Sequence, residues 1–166
     1  MPQKKQTNKT QKMKNKDQEV MPLLVNNANY IKDLSFENPG ILREIPDPAA
    51  GPNLDINIHV DVTPVGEHVY EVALVLNIQA KQNDHNMFLI ELSYAGIFRV
   101  AEAADHDDEQ RKRLLLIEAP SLLFPFARSI VSNLTREGGL PPLLLNPVNF
   151  EIMYEQTVRE MEKTKH

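Results

Sequence analysis

LDINIHVDV, residues 54–62, alternates without a break. Leu54, Ile56, Ile58, Val60 and Val62 fall on one side of an extended chain, and Asp55, Asn57, His59 and Asp61 on the other. A period of two with β-branched residues on the apolar side predicts a half-buried strand. Pro64, Val65, Gly66 and Glu67 carry turn chemistry. HVYEVALVLNIQA, residues 68–80, then resumes the same period with Tyr70, Val72, Leu74, Leu76 and Ile78 inward. The two segments predict an antiparallel hairpin.

Working outward, MFLIELSYAGIFRV at 87–100 predicts a further strand with Phe88, Ile90, Leu92 and Tyr94 inward and apolar Leu89 and Ile97 among its outer residues. NYIKDLSFEN at 29–38 predicts an earlier one, with Tyr30, Leu34 and Phe36 opposite Asp33, Ser35 and Glu37. From Asp107 the period changes. DDEQRKRLLLIEA opens with acids suited to a helix N-terminus and meets Pro120, which predicts a kinked helix, apolar nearly all round between Leu114 and Ile117. SLLFPFARSIVSNLTREGG aligns Leu123, Ala127, Ile130 and Leu134 and stops at Gly138 and Gly139. PPLLLNP forms an extended connector, and Asn146 with Pro147 supplies the cap and first position of a last helix. Strands precede helices, so the expected class is α+β: a four-stranded antiparallel sheet with two long helices on one face and a long crossover loop between strands 1 and 2. Surplus apolar helix surface predicts self-association.

The chain has 166 residues, 42% of them apolar, which suits one domain. It has no cysteine, so disulfide frameworks, thiolate metal sites and cysteine nucleophiles are excluded. Its charge of −5 is unevenly spread. Residues 1–19 hold six lysines and two acids, leaving 12 basic and 21 acidic residues from Val20 onward, a net of −9. That body is not built to grip nucleic acid. The polar arm 1–19 has too little apolar surface to fold alone and is expected to be disordered, with a single domain over 20–166. No apolar run resembles a secretory signal or a membrane span, which points to the cytoplasm without direct membrane insertion.

Two features exceed a generic domain. The connection from Glu37 to Leu54 is far longer than a hairpin loop and carries Ile41, Leu42 and Ile45 among its prolines and glycines. These side chains either plug the edge of the core or arch over an apolar groove. The outer sheet face holds Asp33, Glu37, Asp55, Asp61, Glu71 and Glu91 around Leu89. Such a row is either a solvated face or a dock for a basic partner. The five histidines show no ligand spacing, DHDDE at 105–109 lacks the features of a calcium loop, and no serine sits in a nucleophile elbow. No metal, cofactor or catalytic group is expected. A small enzyme using outer-face carboxylates with His59 is the remaining catalytic alternative.

YIKDLSFENP, VYEVALVLNIQA, FLIELSYAGIFRV and EAPSLLFPFARSIVSNLTREGGLPPLLLNPVNFEIMY, in that order over roughly residues 29–155, resemble the SecB family of protein-export chaperones. The spaced pair LFPFAR and NPVNF is the most specific part. The resemblance implies an ATP-independent holdase, not an enzyme, assembled as a homotetramer, a dimer of dimers, that binds unfolded preproteins and delivers them to the SecA translocation ATPase. It implies client contacts at Ile41, Leu42, Ile45, Phe150 and Tyr154, SecA contacts at Asp33, Glu37, Leu89 and Glu91, and assembly contacts at Ile90, Leu92 and Tyr94. The family's crossing loop typically bears a tryptophan, and this chain has none. A chaperone of the same fold serving a client outside export, such as a toxin's unfolded partner, is the nearer alternative.

Overall fold

The computed structural model describes residues 21–42 and 51–164. The expected disorder of residues 1–19 and the loop residue Ile45 lie outside the described residues. Four long strands, β1 (Leu24–Glu37), β2 (Asn53–Gly66), β3 (Val69–Gln82) and β4 (His85–Val100), form one antiparallel sheet in the order β1-β4-β3-β2. The chain therefore crosses from one edge of the sheet to the other between β1 and β2. A 3₁₀ turn at Pro39–Leu42 begins that crossing. The two hairpin turns use left-handed backbone at His68, Asn83 and Asp84, residue types that adopt it at low cost.

Val72, Leu74, Leu76 and Ile78 of β3 pair with Gly96, Tyr94, Leu92 and Ile90 of β4, and all but glycine project toward the helices. The strand parity read from the sequence holds on β2, β3 and β4. On β1 it fails between Ala28 and Ile31. Register shifts at Asn26/Ala28 and Ile31/Asp33 leave Asn27 and Lys32 as extra residues, so the alternation reverses at one and is restored at the other. Tyr30, expected inward, lies on the outer face and donates its hydroxyl to Glu71. Ile31 takes the inward position opposite Tyr94.

A single turn, α1 (Glu102–Asp105), leads into α2 (Asp108–Arg113), capped by the Asp107 side chain accepting from the amides of Glu109 and Gln110. The helix expected to kink at Pro120 runs on through it, with an irregular turn just before the proline. A π-turn over Leu114–Glu118 joins α2 to α3 (Ala119–Glu137) as one rod. Widening the turn just before Pro120 accommodates a residue with no amide hydrogen, and Pro120 sits in the opening turn of α3. By length and composition this rod is apolar enough to cross a bilayer. It instead packs Leu123, Ala127 and Val131 onto the sheet with no exposure. The last helix, α4 (Phe150–Thr164), starts later than expected: Asn149, not Asn146, accepts from the amide of Ile152 and caps it. The core lies between the inner sheet face and the rod, closed by Leu140, Leu145 and Phe150.

Candidate functional site

Among the described residues an apolar cleft of about 450 Å³ opens where the returning crossover meets the connector after α3. Pro52 and Leu54 form one wall, Met87 and Phe88 the floor, and Leu140 to Leu143 the other wall. Three contacts hold this corner together. Gly40 is buried so tightly that a Cβ there would stand 2.7 Å from the Met87 Cα. Asn38 Nδ2 donates to the Gly138 carbonyl at 2.7 Å. A Cβ on Gly138 would meet the Phe36 ring at 2.7 Å. The root of the crossover is thus clamped to the end of α3, and Ile41 comes to lie over Gly139.

Thr135, buried with no exposure, organises the connector. Its hydroxyl donates within α3, to the carbonyl of Ser132 or Val131, and accepts from the amide of Leu143 at 2.9 Å. A lone threonine on an amphipathic helix gives no sign of such a role in the sequence. Gly138 and Gly139 read there only as a helix stop, although the first is also a packing site.

The implied client contacts separate in space. Ile41 is half-exposed and Leu42 is 93% exposed, on the 3₁₀ turn beside this cleft. Tyr154 lines a second, smaller cleft of about 190 Å³ with Ile58, Val60, Leu116 and Met153, between α4 and the β2 edge. Its hydroxyl faces the Glu109 carboxylate at 3.3 Å, and burial together with that charge raises its pKa above the ordinary tyrosine value. Phe150 is not a surface group. It is 2% exposed and meets the Phe124 ring edge-on at 6.1 Å, so it is core beneath α4 rather than an open contact.

The implied assembly residues lie on the inner face. Ile90, Leu92 and Tyr94 are 0%, 1% and 8% exposed because the inner parity turns them under the chain's own rod. Large apolar groups left exposed include Leu122 and Phe126 on the rod, the latter stacked on Tyr94 at 6.1 Å, Leu144 in the connector, and Val25 and Ile31 on edge strand β1.

The outer sheet face carries Asp33, Glu37, Leu89 and Glu91 together. Glu37, Leu89, Gln79 and Asp55 form one row across the sheet, Glu91 stands in the next and Asp33 in the third. Asp33, Glu37, Asp55 and Glu91 make no ion pair or side-chain hydrogen bond among the described residues. Glu71, further along, differs: Lys32 Nζ lies 2.5 Å from it and Tyr30 donates to it, which holds its carboxyl below the ordinary glutamate value and pushes the Tyr30 phenol up to about 12. His59 and Asp61 stand 3.8 Å apart, both exposed. Among the described residues no three ligand-type side chains converge on a metal position.

An acidic sheet face thus lies opposite apolar clefts and exposed apolar helix surface. The family model "Preprotein translocase subunit SecB" matches residues 16–161, thirteen residues further toward the N-terminus than the quoted motifs. The chain belongs to the SecB family. It is 48% identical over 145 residues to the protein-export protein SecB of Paramagnetospirillum magneticum, covering 86% of this chain and 90% of that one. It is 40% identical over 136 residues to that of Bartonella quintana, covering 82% and 84%. A SecB-like chaperone of Mycobacterium tuberculosis, solved with an antitoxin peptide, shares the fold at a TM-score of 0.63 and 19% identity over 75% of this chain and 90% of that one.

Proposed function

We propose that this chain is an ATP-independent cytoplasmic holdase that keeps preproteins unfolded and hands them to the SecA translocation ATPase. The observation that carries the reading is the division of surfaces: apolar clefts lie on the helix side of the sheet and unpaired carboxylates on the other, so client and motor can be held at once. One buried aliphatic or aromatic anchor contributes roughly 1.5–3 kcal/mol. Specific holding therefore needs several clefts on one assembly, which raise avidity through effective concentration. A homotetramer built as a dimer of dimers supplies them, with Leu122, Phe126, Leu144 and the β1 edge as the surfaces that copies cover.

Ile41, Leu42, Ile45 and Tyr154 are the proposed client contacts, with Phe150 as packed floor. Asp33, Glu37, Leu89 and Glu91 are the proposed SecA contacts: the acids steer a basic segment inward and Leu89 supplies a desolvated spot. Surface complementarity accounts for all of this without a catalytic step. The deciding experiment is mass measurement of the purified chain alone and with a reduced, unfolded preprotein, without nucleotide. A tetramer that gains one client mass is expected. A chain that ignores the unfolded client, or captures it only with ATP, overturns the reading. Retention of the client with no affinity for SecA would instead assign a client outside export.

A further inference from the structure

The π-turn over Leu114–Glu118 interrupts the rod where it passes α4 and the β2 edge. Its defining bond runs from the Ala119 amide to the Leu114 carbonyl, five residues back rather than four. We propose that this turn turns Leu116 out of the core to form a wall of the smaller cleft, where its side chain touches the client and sets which client side chain the cleft accepts. That the occupant is a client segment rests on the function proposed above; the register of the turn does not.

Ala119 and Pro120 are both buried against the sheet. In a regular helix the residues four earlier, Leu115 and Leu116, would share that face. The wider turn steps back five, and the sealed pair is instead Leu114 and Leu115, 4% and 3% exposed. Leu116 is left half-buried and lines the cleft of about 190 Å³ with Ile58, Val60, Met153 and Tyr154. The run Leu114–Ile117 thus holds more apolar groups than the core takes, and the one displaced faces a cavity rather than bulk water. The turn has support on both sides. Pro120 brings no amide hydrogen, so a carbonyl one turn back is free of its helical donor, and the Ser121 hydroxyl donates to the Ile117 carbonyl at 2.6 Å. Before the turn, α2 is tied to α4 beside the cleft: Arg113 Nη2 donates to Glu151 Oε1 at 2.5 Å, and the Tyr154 hydroxyl faces Glu109 at 3.3 Å. No acid, lysine or arginine lines the cleft. It therefore suits one aliphatic or aromatic side chain of an extended segment, and Leu116 fixes the width of the opening. A π-turn at a binding surface is a common way to re-aim a side chain without breaking the helix that carries it.

The chain has no cysteine, so one introduced thiol reports its own surroundings. In the full-length protein, N-ethylmaleimide should label Leu116→Cys about tenfold or more faster than Leu115→Cys, because thiols sealed in a core are inert. Equal rates, or faster labelling at 115, overturn the register. Urea midpoints give a second measure of it: Leu116→Ala should shift the midpoint far less than Leu115→Ala, since only the latter empties a core position. Equal shifts place Leu116 in the core and overturn the proposal. Client contact is read with a cysteine-free, unfolded preprotein, its capture followed by mass. Capture should slow labelling of Leu116→Cys severalfold, and full reactivity in a complex that has gained the client mass removes Leu116 from the contact. Leu116→Ala should bind the preprotein about fivefold more weakly than wild type, and Leu116→Met, which restores the bulk, should recover the affinity. A Leu116→Met chain as weak as Leu116→Ala overturns a role through side-chain contact. Absence of any mass gain with wild type overturns the holdase reading and the contact with it, whereas the labelling ratio and the midpoints judge the turn without any client.

Discussion

The two faces of this sheet differ by one residue step along every strand and by nearly everything in chemistry. Facing the helical rod, Leu74, Leu76, Ile90 and Leu92 are sealed from water. On the reverse, Glu91 sits between Ile90 and Leu92 in the chain yet is exposed, and its cross-strand neighbours Ser35 and Asn77 are polar. One face makes the protein fold; the other is the face on which the proposed function places the basic partner. The contrast follows from the strict period of two, which lets one strand serve both purposes without compromise.

The sharpest way to break this division is Ile90→Asp. A carboxylate placed there has no partner and no water, so the fold should lose more than about 4 kcal/mol, a large part of a domain's net stability. Urea unfolding at fixed protein concentration measures it. A variant that unfolds normally but sediments as a smaller species would support Ile90 as an assembly contact, as the family resemblance implies.

A smaller effect is expected at the clamp beneath the larger cleft. Thr135→Val keeps the shape of the side chain but removes the oxygen that accepts from Leu143, leaving a half-buried amide unpaired at a cost of about 1–3 kcal/mol. Hydrogen exchange at Leu143 should quicken and client capture should weaken, while binding on the outer face is unchanged. Equal loss on both faces would show that they are not independent.

How much of this was legible follows from where the physics is local. The inner set from Val72 to Ile78 and from Phe88 to Tyr94 is visible because each strand writes its own burial as alternation. Tyr30 was misplaced because the bulge at Lys32 arises in pairing with β4, and no local pattern in YIKDL marks it. Pro120 reads as a kink, but the form the irregularity takes, a π-turn over Leu114–Glu118, needs only a change of hydrogen-bond span, which sequence does not display. Phe150 shows the opposite limit. Its place in NPVNF carries family membership well, but whether an aromatic side chain is open or buried depends on Phe124, far away in the chain.

The hairpin turn between β2 and β3 meets the helix start where His68 bonds Asp105 of α1. Burial alone would raise the Asp105 carboxyl, but hydrogen bonds from Tyr70 at 2.7 Å and His68 at 2.5 Å prevail and hold it below the ordinary aspartate value. A depressed carboxyl stabilises the fold fully above its unfolded value, about 3.9, and that contribution disappears as pH falls through the lower folded value. Asp105→Asn should therefore cost about 1–2 kcal/mol at neutral pH and lose less further stability than wild type on acidification below about pH 4. Denaturation midpoints from pH 3 to 7 decide it: parallel curves for the two proteins would remove Asp105 from the acid response.

The smallest expected change in stability is also the most telling for function. Glu91→Lys alters an exposed side chain with no partner among the described residues, so unfolding should move by no more than about 0.5 kcal/mol in either direction. Binding of a basic segment to the outer face should nevertheless fall, because the substitution removes one attractive charge and adds a repulsive one beside Leu89. Such a change acts chiefly on the association rate and is strongest at low salt. Client capture on the helix side should be untouched, since nothing at Glu91 reaches either cleft. Ile90→Asp and Glu91→Lys are adjacent in the chain and each changes one charged group. If the first destroys the fold while the second spares it and removes only the basic partner, the two faces are separate devices. If Glu91→Lys also releases the client, the sheet transmits between them and the division of labour fails.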